Sequence, residues 1–375
     1  MNTATILVGD NRKTLSKIPD KTIQTCITSP PYWGLRDYGT ATWLGGDEQC
    51  DHLGKPFSTR ANINANSGGR DVKNAEMREF YKEQCGKCGA LRQDEQIGLE
   101  QTPEEYVEQL CSVFDQVWRV LVDDGTLWLN LGDSYNASTP NRSGTNAFND
   151  GRKNRNQRLT TGGVSGLKPK DLVGIPWRVA FALQARGWYL RSEIIWHKPN
   201  PMPESVTDRP TKSHEHIFLF TKSAKYYYDH EAIKEPVTES SLKRAEYAFH
   251  SDRPSTKNAS MGGEGIHTEK MGERFVNPDG RNKRDVWTVP TKPFTGAHFA
   301  VYPTALIEPC VLAGSKPGDT ILDPFSGSGT TGIVAILNGR NYVGTELNPE
   351  YANISEKRIN DEVGFLGTVK VNHVD

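Results

Sequence analysis

The stretch "DTILDPFSGSGTTGIVAILNGRNYVGTE", residues 319–346, decides the fold. Its opening, Asp319 to Asp323, reads as a short strand around Ile321 and Leu322. A glycine turn follows, Pro324 to Gly329, and then an apolar segment with Ile333, Ala335, Ile336 and Leu337 at helical spacing. Asn341 to Glu346 reads as a second strand, and Pro349 opens a closing helix. Strand, glycine turn, helix and strand make the repeating unit of a parallel α/β sheet.

The alternation continues outward. Ile6-Leu7-Val8 is a strand that ends at Gly9-Asp10, residues 11–19 read as a short helix, and Thr22 to Ile27 is a run of β-formers. A helix begins at Thr102-Pro103-Glu104-Glu105, where an N-cap, a first-turn proline and two acids coincide. Its apolar positions Tyr106, Leu110, Val113, Phe114 and Val117 keep helical spacing. Gly125–Leu131, Tyr189–Trp196 and His216–Phe220 read as strands, and Pro176–Arg186 as a helix. The expected architecture is α/β, a doubly wound and mostly parallel sheet with polar insertions. Residues 1–48, 92–135, 171–230 and 291–365 make the core; 49–91, 136–170 and 231–290 are the insertions; 366–375 is a tail.

Composition agrees with this division. Only 35% of the 375 residues are hydrophobic, low for one compact domain, which places polar segments outside the core. The net charge of -1 excludes a polycation, so nucleic-acid binding would need a local basic surface. No apolar run reaches membrane-span length and the N-terminus lacks a signal-peptide pattern, so a cytoplasmic protein without membrane partners is expected. In a reducing compartment the six cysteines form no structural disulfides, and Cys26, Cys111 and Cys310 read as core residues.

Glycines between a strand and a helix let a ligand approach the backbone, and the helix start offers free N–H groups. Glu346, at the tip of the next strand, is placed to accept hydrogen bonds from ribose hydroxyls. The turn lacks the lysine of a P-loop, so an adenosine ligand without a pyrophosphate fits better.

Residues 28–33, "TSPPYW", end the second strand with two prolines that stop the ladder, followed by two aromatic rings. Here a resemblance becomes specific. Asp323 to Thr330, "DPFSGSGT", resembles the S-adenosylmethionine loop of DNA amino-methyltransferases, and "TSPPYW" resembles their catalytic motif. Catalytic motif first and cofactor loop last resembles the β group of that family, with a Rossmann-like sheet. "LWLNLGDSY" (residues 127–135), "IWHKP" (195–199) and "HFA" (298–300) also look familiar.

The resemblance implies a site-specific methyltransferase for DNA, acting on a flipped base. By this reading Ser29, Pro30, Pro31 and Tyr32 are catalytic. An exocyclic amine is a poor nucleophile because its lone pair is conjugated into the ring. Ser29 Oγ and the Pro30 carbonyl can accept its two N–H bonds and free that lone pair, while the prolines keep the carbonyl aimed. Tyr32 can stack on an extruded base. A serine in the first position leans toward cytosine N4 and an aspartate toward adenine N6; cytosine N4 is favoured and adenine N6 is the alternative. From another class, a DNA-binding module without catalysis is opposed by the intact motifs. The dipeptide Pro309-Cys310 resembles the nucleophile of cytosine-C5 enzymes, yet it lies in an apolar stretch and reads as core.

The implied contacts to S-adenosylmethionine are Asp323, Phe325, Gly327, Ser328, Gly329, Thr330 and Glu346, with His298, Phe299 and Ala300 packing near it. Asp10 resembles a family feature near the methionine end; a turn cap is the competing reading. Separately, Cys50, His52, Cys85 and Cys88 supply three thiols and an imidazole, and C-x-x-C before glycine is a common zinc knuckle. A structural Zn²⁺ would tie down a polar insertion that has no core.

Double-stranded DNA is the expected partner, with a second copy of the chain and a cognate restriction endonuclease of a bacterial or phage system as further candidates. Arg142, Arg152, Lys153, Arg155, Arg158, Lys168 and Lys170 in the basic loop suit phosphate contacts. Arg244, Arg253, Arg274, Arg281 and Arg284, with Asn258 and Asn282, suit base reading in residues 231–290.

Overall fold

A computed structural model describes residues 2–34, 38–54, 83–136, 166–237, 239–240, 280–291 and 301–374. Its strands are β1 (Asn2–Val8), β2 (Ile23–Thr28), β3 (Thr42–Leu44), β4 (Leu91–Gln93), β5 (Leu121–Leu131), β6 (Tyr189–His197), β7 (His214–Thr221), β8 (Val286–Thr288), β9 (Thr320–Asp323), β10 (Asn341–Glu346) and β11 (Gly367–His373). The α-helices among the described residues are α1 (Asn11–Thr14), α2 (Pro103–Val120), α3 (Ile175–Ala185), α4 (Thr304–Gly314), α5 (Thr330–Leu337) and α6 (Pro349–Val363).

Among the described residues nine strands form one sheet in the order β11-β1-β10-β9-β2-β5-β7-β6-β8. Only β7 is reversed in it: it pairs antiparallel with β5 and β6, and every other pair of this sheet is parallel. Its N-terminal residues therefore lie at the same edge as the C-terminal ends of the parallel strands, where ligands bind in such sheets.

Alternate residues of each strand feed two apolar layers. Cys26, Leu127, Leu129, Phe218 and Phe220 face α2 and α3, among Tyr106, Phe114, Val117 and Leu183. Ile27, Trp128, Ile217 and Leu219 face the other way, with Leu306 and Val311 of α4, Ile333 of α5 and Ile359 of α6. The start of α2 carries the predicted cap in full: Thr102 Oγ1 accepts the Glu105 N–H at 3.2 Å and the Glu105 carboxylate accepts the Thr102 N–H at 3.2 Å. Helix α4 continues through Pro309; the carbonyl this frees belongs to Ala305, which is exposed to water. Cys310 is 1% exposed and burial drives its thiol pKa up, so it is a core residue, as expected.

Three differences from expectation stand out. Residues 366–375 are not a tail but supply β11, which pairs along all of β1 from Asn2↔Gly367 to Val8↔His373. The alternation of Val369 and Val371 with Thr368, Lys370 and Asn372 gives this edge strand one half-buried face. The insertion 231–290 contributes β8, parallel to β6, and the ribbon β3–β4 brackets the cysteine-bearing insertion. Strands β3, β4 and β8 are each only three residues long, too short for a period to show.

Candidate active site

Strands β2 and β9 are neighbours, with Cys26 opposite Leu322, so the residues at their ends meet. Thr28 Oγ1 donates to Asp323 Oδ1 at 2.6 Å. Asp323 also accepts from the Phe325 N–H at 3.0 Å, Thr331 Oγ1 at 2.8 Å and the Tyr302 hydroxyl at 2.9 Å. Burial raises its pKa, and these donors work against that rise. The carboxylate is fully buried and saturated by protein groups, so it shapes the turn from beneath.

The turn itself offers backbone. Gly327 and Gly329 have φ of +52° and +77°, values that favour glycine. A Cβ on Gly329 would lie 2.3 Å from Ser355 Oγ of α6, whereas one on Gly327 would meet, among the described residues, only the Phe325 carbonyl at 3.8 Å. Packing against α6 therefore demands one glycine, and the other leaves an open cradle. Phe325 packs against the core, and Thr330 begins α5. Arg358 of α6 clamps the turn, donating to the Ser328 carbonyl and Oγ at 2.8 Å and to Thr330 Oγ1 at 3.3 Å. Glu346 accepts the N–H groups of Gly327 at 2.8 Å and Asn348 at 3.0 Å, and burial pushes its carboxyl up to about 7.

The Gly9 N–H donates to the Glu346 carbonyl at 2.8 Å, which brings Asp10 to the same edge. Asp10 accepts the Arg12 N–H at 2.9 Å and pairs with its guanidinium at 2.8 Å, so the capping role is the one on view. His298, Phe299 and Ala300 lie outside the described residues, as do Arg142, Arg152, Lys153, Arg155, Arg158, Arg244, Arg253, Arg274 and Asn258. The run Gly327 to Gly332 has the G-x-G-x-x-G spacing of dinucleotide turns, so spacing alone does not separate that ligand from adenosine.

Ser29, Pro30, Pro31 and Tyr32 follow β2 beside this turn. The Tyr106 hydroxyl donates to the Pro31 carbonyl at 2.9 Å. Trp33 is 3% exposed and donates Nε1–H to the Glu100 carbonyl at 2.9 Å, so it anchors the segment in the core. The Tyr32 ring packs on Gly132, where a Cβ would come within 2.4 Å of it. Its hydroxyl lies 2.7 Å from Glu215 Oε2, 3.0 Å from Asn130 Oδ1 and 3.4 Å from Ser29 Oγ. Burial and the Glu215 charge drive the Tyr32 pKa well up. Glu215 also pairs with Lys198, whose ammonium stands 4.2 Å above the Trp196 ring.

Sequence reasoning gave no role to Asn130, Gly132, Lys198, Glu215, Tyr302 or Arg358. The first three fall in the segments "LWLNLGDSY" and "IWHKP", which were singled out without roles for their members.

Cys50, His52, Cys85 and Cys88 come together as expected, with their ligand atoms all within 4.8 Å of one another. Cys50 Sγ is 3.7 Å from Cys85 Sγ, and Cys88 Sγ is 3.5 Å from His52 Nδ1. His52 stacks on Trp43 of β3 at 4.3 Å. Backbone N–H groups of Asp47 and Ala90 stabilise the Cys88 thiolate and bring its pKa down to about 6. Among the base-reading candidates, Arg281 and Arg284 are instead engaged by Glu235, at 3.1 and 3.2 Å. Lys170 of the basic loop pairs with Asp208 at 2.5 Å. Among the described residues no helix is long and apolar enough to cross a membrane.

Comparison with known proteins now bears on this geometry. Residues 23–357 match the N6/N4 family described as DNA methylase, and the chain belongs to that family. It is 41% identical to the Type II methyltransferase M.Cfr9I of Citrobacter freundii, over 96% of this chain and 89% of that one. It is 40% identical to M.SmaI of Serratia marcescens, over 94% and 90% of the two chains. Among solved structures, a Thermus thermophilus protein put forward as a DNA modification methylase, complexed with S-adenosyl-L-methionine, superposes with a TM-score of 0.51 at 21% identity, covering 99% of this chain and 100% of that one. The cytosine-N4-specific PvuII DNA methyltransferase gives 0.51 at 16% identity, covering 99% and 95%. These two likenesses establish the Rossmann-like methyltransferase fold. The enzyme is an S-adenosylmethionine-dependent DNA amino-methyltransferase.

Proposed function

We propose that this enzyme methylates the N4 amine of a cytosine extruded from a specific site in double-stranded DNA. The observation that carries the reading is the junction of Ser29-Pro30-Pro31-Tyr32 with the glycine turn through the 2.6 Å Thr28–Asp323 hydrogen bond. S-adenosylmethionine would supply an electrophilic methyl group: the N–CH₃ bond would form as the S–CH₃ bond breaks with its electron pair going to sulfur, and the nitrogen would then release one proton to water. The open cradle at Gly327 and the Glu346 carboxylate beside it fit its adenosine half. Asp323, Thr331 and Arg358 hold the turn that receives it.

Ser29 Oγ and the Pro30 carbonyl accept the two amine N–H bonds and turn the nitrogen lone pair toward the methyl group. Much of the acceleration then comes from alignment of donor, methyl and amine. Ser29 at the first position of this motif, where the resemblance links serine with cytosine N4 and aspartate with adenine N6, supports cytosine over the adenine alternative. The relatives' Type II designation supports action at a defined DNA sequence alongside a cognate endonuclease. The remaining candidates for phosphate and base contacts stand as given above, with Arg281 and Arg284 free to act only after leaving Glu235.

The four-ligand cluster is a structural Zn²⁺ site. A tetrahedral zinc with Zn–S of about 2.3 Å and Zn–N of about 2.0 Å sets neighbouring sulfurs ~3.8 Å apart and sulfur and nitrogen ~3.5 Å apart. The Cys50–Cys85 and Cys88–His52 spacings, 3.7 and 3.5 Å, fit those edges. Four protein ligands leave no open position, so the ion would hold the insertion and take no part in methyl transfer.

The test is transfer of labelled methyl groups to unmethylated duplex DNA, with the modified base identified by mass spectrometry and its site by sequencing. N4-methylcytosine supports the proposal and N6-methyladenine overturns the base assignment. Ser29→Ala should lose turnover and keep cofactor binding.

A further inference from the structure

Ser29 carries a hydroxyl, and a hydroxyl both donates and accepts. To hold an amine it must present a lone pair, so its own proton has to be directed elsewhere. We propose that Glu215 is a positioning residue that fixes this direction through Tyr32. A one-way chain of hydrogen bonds runs from Ser29 to Tyr32 to Glu215 and leaves the Ser29 lone pairs for the target amine. The inference rests on the reading of Ser29 as an amine acceptor.

The direction follows from what each neighbour can do. An ionised carboxylate only accepts. Glu215 pairs with the Lys198 ammonium, and a carboxylate held in such a pair acts as an acceptor toward its other neighbours. At 2.7 Å from Glu215 Oε2, the Tyr32 hydroxyl must be the donor. Asn130 offers it no alternative source of a proton. Its amide NH₂ donates to the His216 carbonyl at 3.1 Å, so Oδ1 is the atom that faces Tyr32 at 3.0 Å. Reversing that amide would set two carbonyl oxygens against each other.

Of the three groups around the Tyr32 oxygen, two are therefore acceptors, and only Ser29 can fill its lone pairs. The Ser29–Tyr32 contact, 3.4 Å, is the long link. Such contacts tighten when substrate arrives. Each bond in a directed chain polarises the next, so the Lys198–Glu215 pair strengthens Ser29 as an acceptor. A neutral serine thereby gains part of the accepting power that a carboxylate would have at the same position.

The experiment is single-turnover methyl transfer to duplex DNA at saturating cofactor, using Glu215→Gln, Tyr32→Phe and the double variant. Glutamine can donate as well as accept, so it removes the direction while keeping shape. Glu215→Gln should slow transfer by at least about tenfold, the rate equivalent of one hydrogen bond to a charged group. Cofactor affinity, measured by calorimetry, should stay within about twofold, which also reports an intact fold. Because Glu215 acts through the Tyr32 hydroxyl, the double variant should be no slower than Tyr32→Phe alone. Full speed in Glu215→Gln, or losses that multiply in the double variant, would overturn the chain. If Ser29→Ala keeps its rate, the underlying reading fails; if Ser29→Ala is inactive and Glu215→Gln is not slowed, only this inference fails.

Discussion

Thr28 and Asp323 stand 295 positions apart in the chain, yet Thr28 Oγ1 donates to Asp323 Oδ1 at 2.6 Å in a place closed to water. The bond ties the strand that ends in the catalytic segment to the strand that ends in the cofactor turn. Thr28→Val keeps the β-branched shape and removes one donor from a buried carboxylate. It should cost about 1–3 kcal/mol of stability. Asp323→Ala strands the hydroxyls of Thr28, Thr331 and Tyr302 together and should weaken cofactor binding more strongly. Calorimetric titration with S-adenosylmethionine decides the second point; unchanged affinity in Asp323→Ala would refute a role in shaping the turn.

Glu346 predicts a pH dependence. Burial lifts its carboxyl to about 7, above the ordinary range near ~4.3. The folded protein therefore takes up a proton that the unfolded chain has already released. Its contribution to stability is fully present below about 4 and is lost as pH rises through about 7. Glu346→Gln should melt above the parent at pH ~8, with the advantage shrinking toward pH ~5. Only the ionised carboxylate is a full acceptor for ribose hydroxyls, so the parent's cofactor affinity should fall between pH ~8 and ~6. The variant should bind weakly and without that slope. A flat profile for the parent would exclude Glu346 from the ribose.

Gly132 predicts a variant that folds without turning over. Its backbone is ordinary, but a Cβ there would sit 2.4 Å from the Tyr32 ring. Gly132→Ala must push the ring away, and misplacement of about 1 Å near reacting groups costs roughly 100-fold in rate. Cofactor affinity should hold. Parent-like kcat in this variant would show that the Tyr32 position does not matter to the reaction.

The cysteine cluster predicts about one zinc per chain by elemental analysis. Cys85→Ser/Cys88→Ser should lose it, and a strong chelator should lower Tm in the parent and leave the double variant unmoved. Because the ligands bind when deprotonated, acid should release the metal. A parent chain that purifies without metal would refute the site.

Much of this was legible in the sequence because the core elements are long and periodic. Thr102-Pro103-Glu104-Glu105 announces a helix by its own chemistry, and the turn between β9 and α5 is written in consecutive residues. The short strands β3, β4 and β8 were not legible, since three residues carry no period. Nor were the partners of the catalytic segment. Tyr32 meets Glu215 across 183 positions, and nothing local to either residue announces the other. Such pairs exist only after the sheet has set which strand ends adjoin. The engagement of Arg281 and Arg284 by Glu235 was hidden for the same reason, because Glu235 lies 46 and 49 positions away.

The cysteine-bearing hairpin has a consequence for how this chain tolerates change. On either side of residues 55–82 in the sequence, Cys50 and His52 meet Cys85 and Cys88, and β3 pairs with β4, so the flanking chain is joined there. The span is spliced in at a socket whose two rims are already joined. Lengthening a loop between joined ends is cheap, at about 0.6 kcal/mol for each doubling. Changes of length between these joined ends should therefore leave the spacing of Ser29, Tyr32 and the turn at Gly327 unaltered.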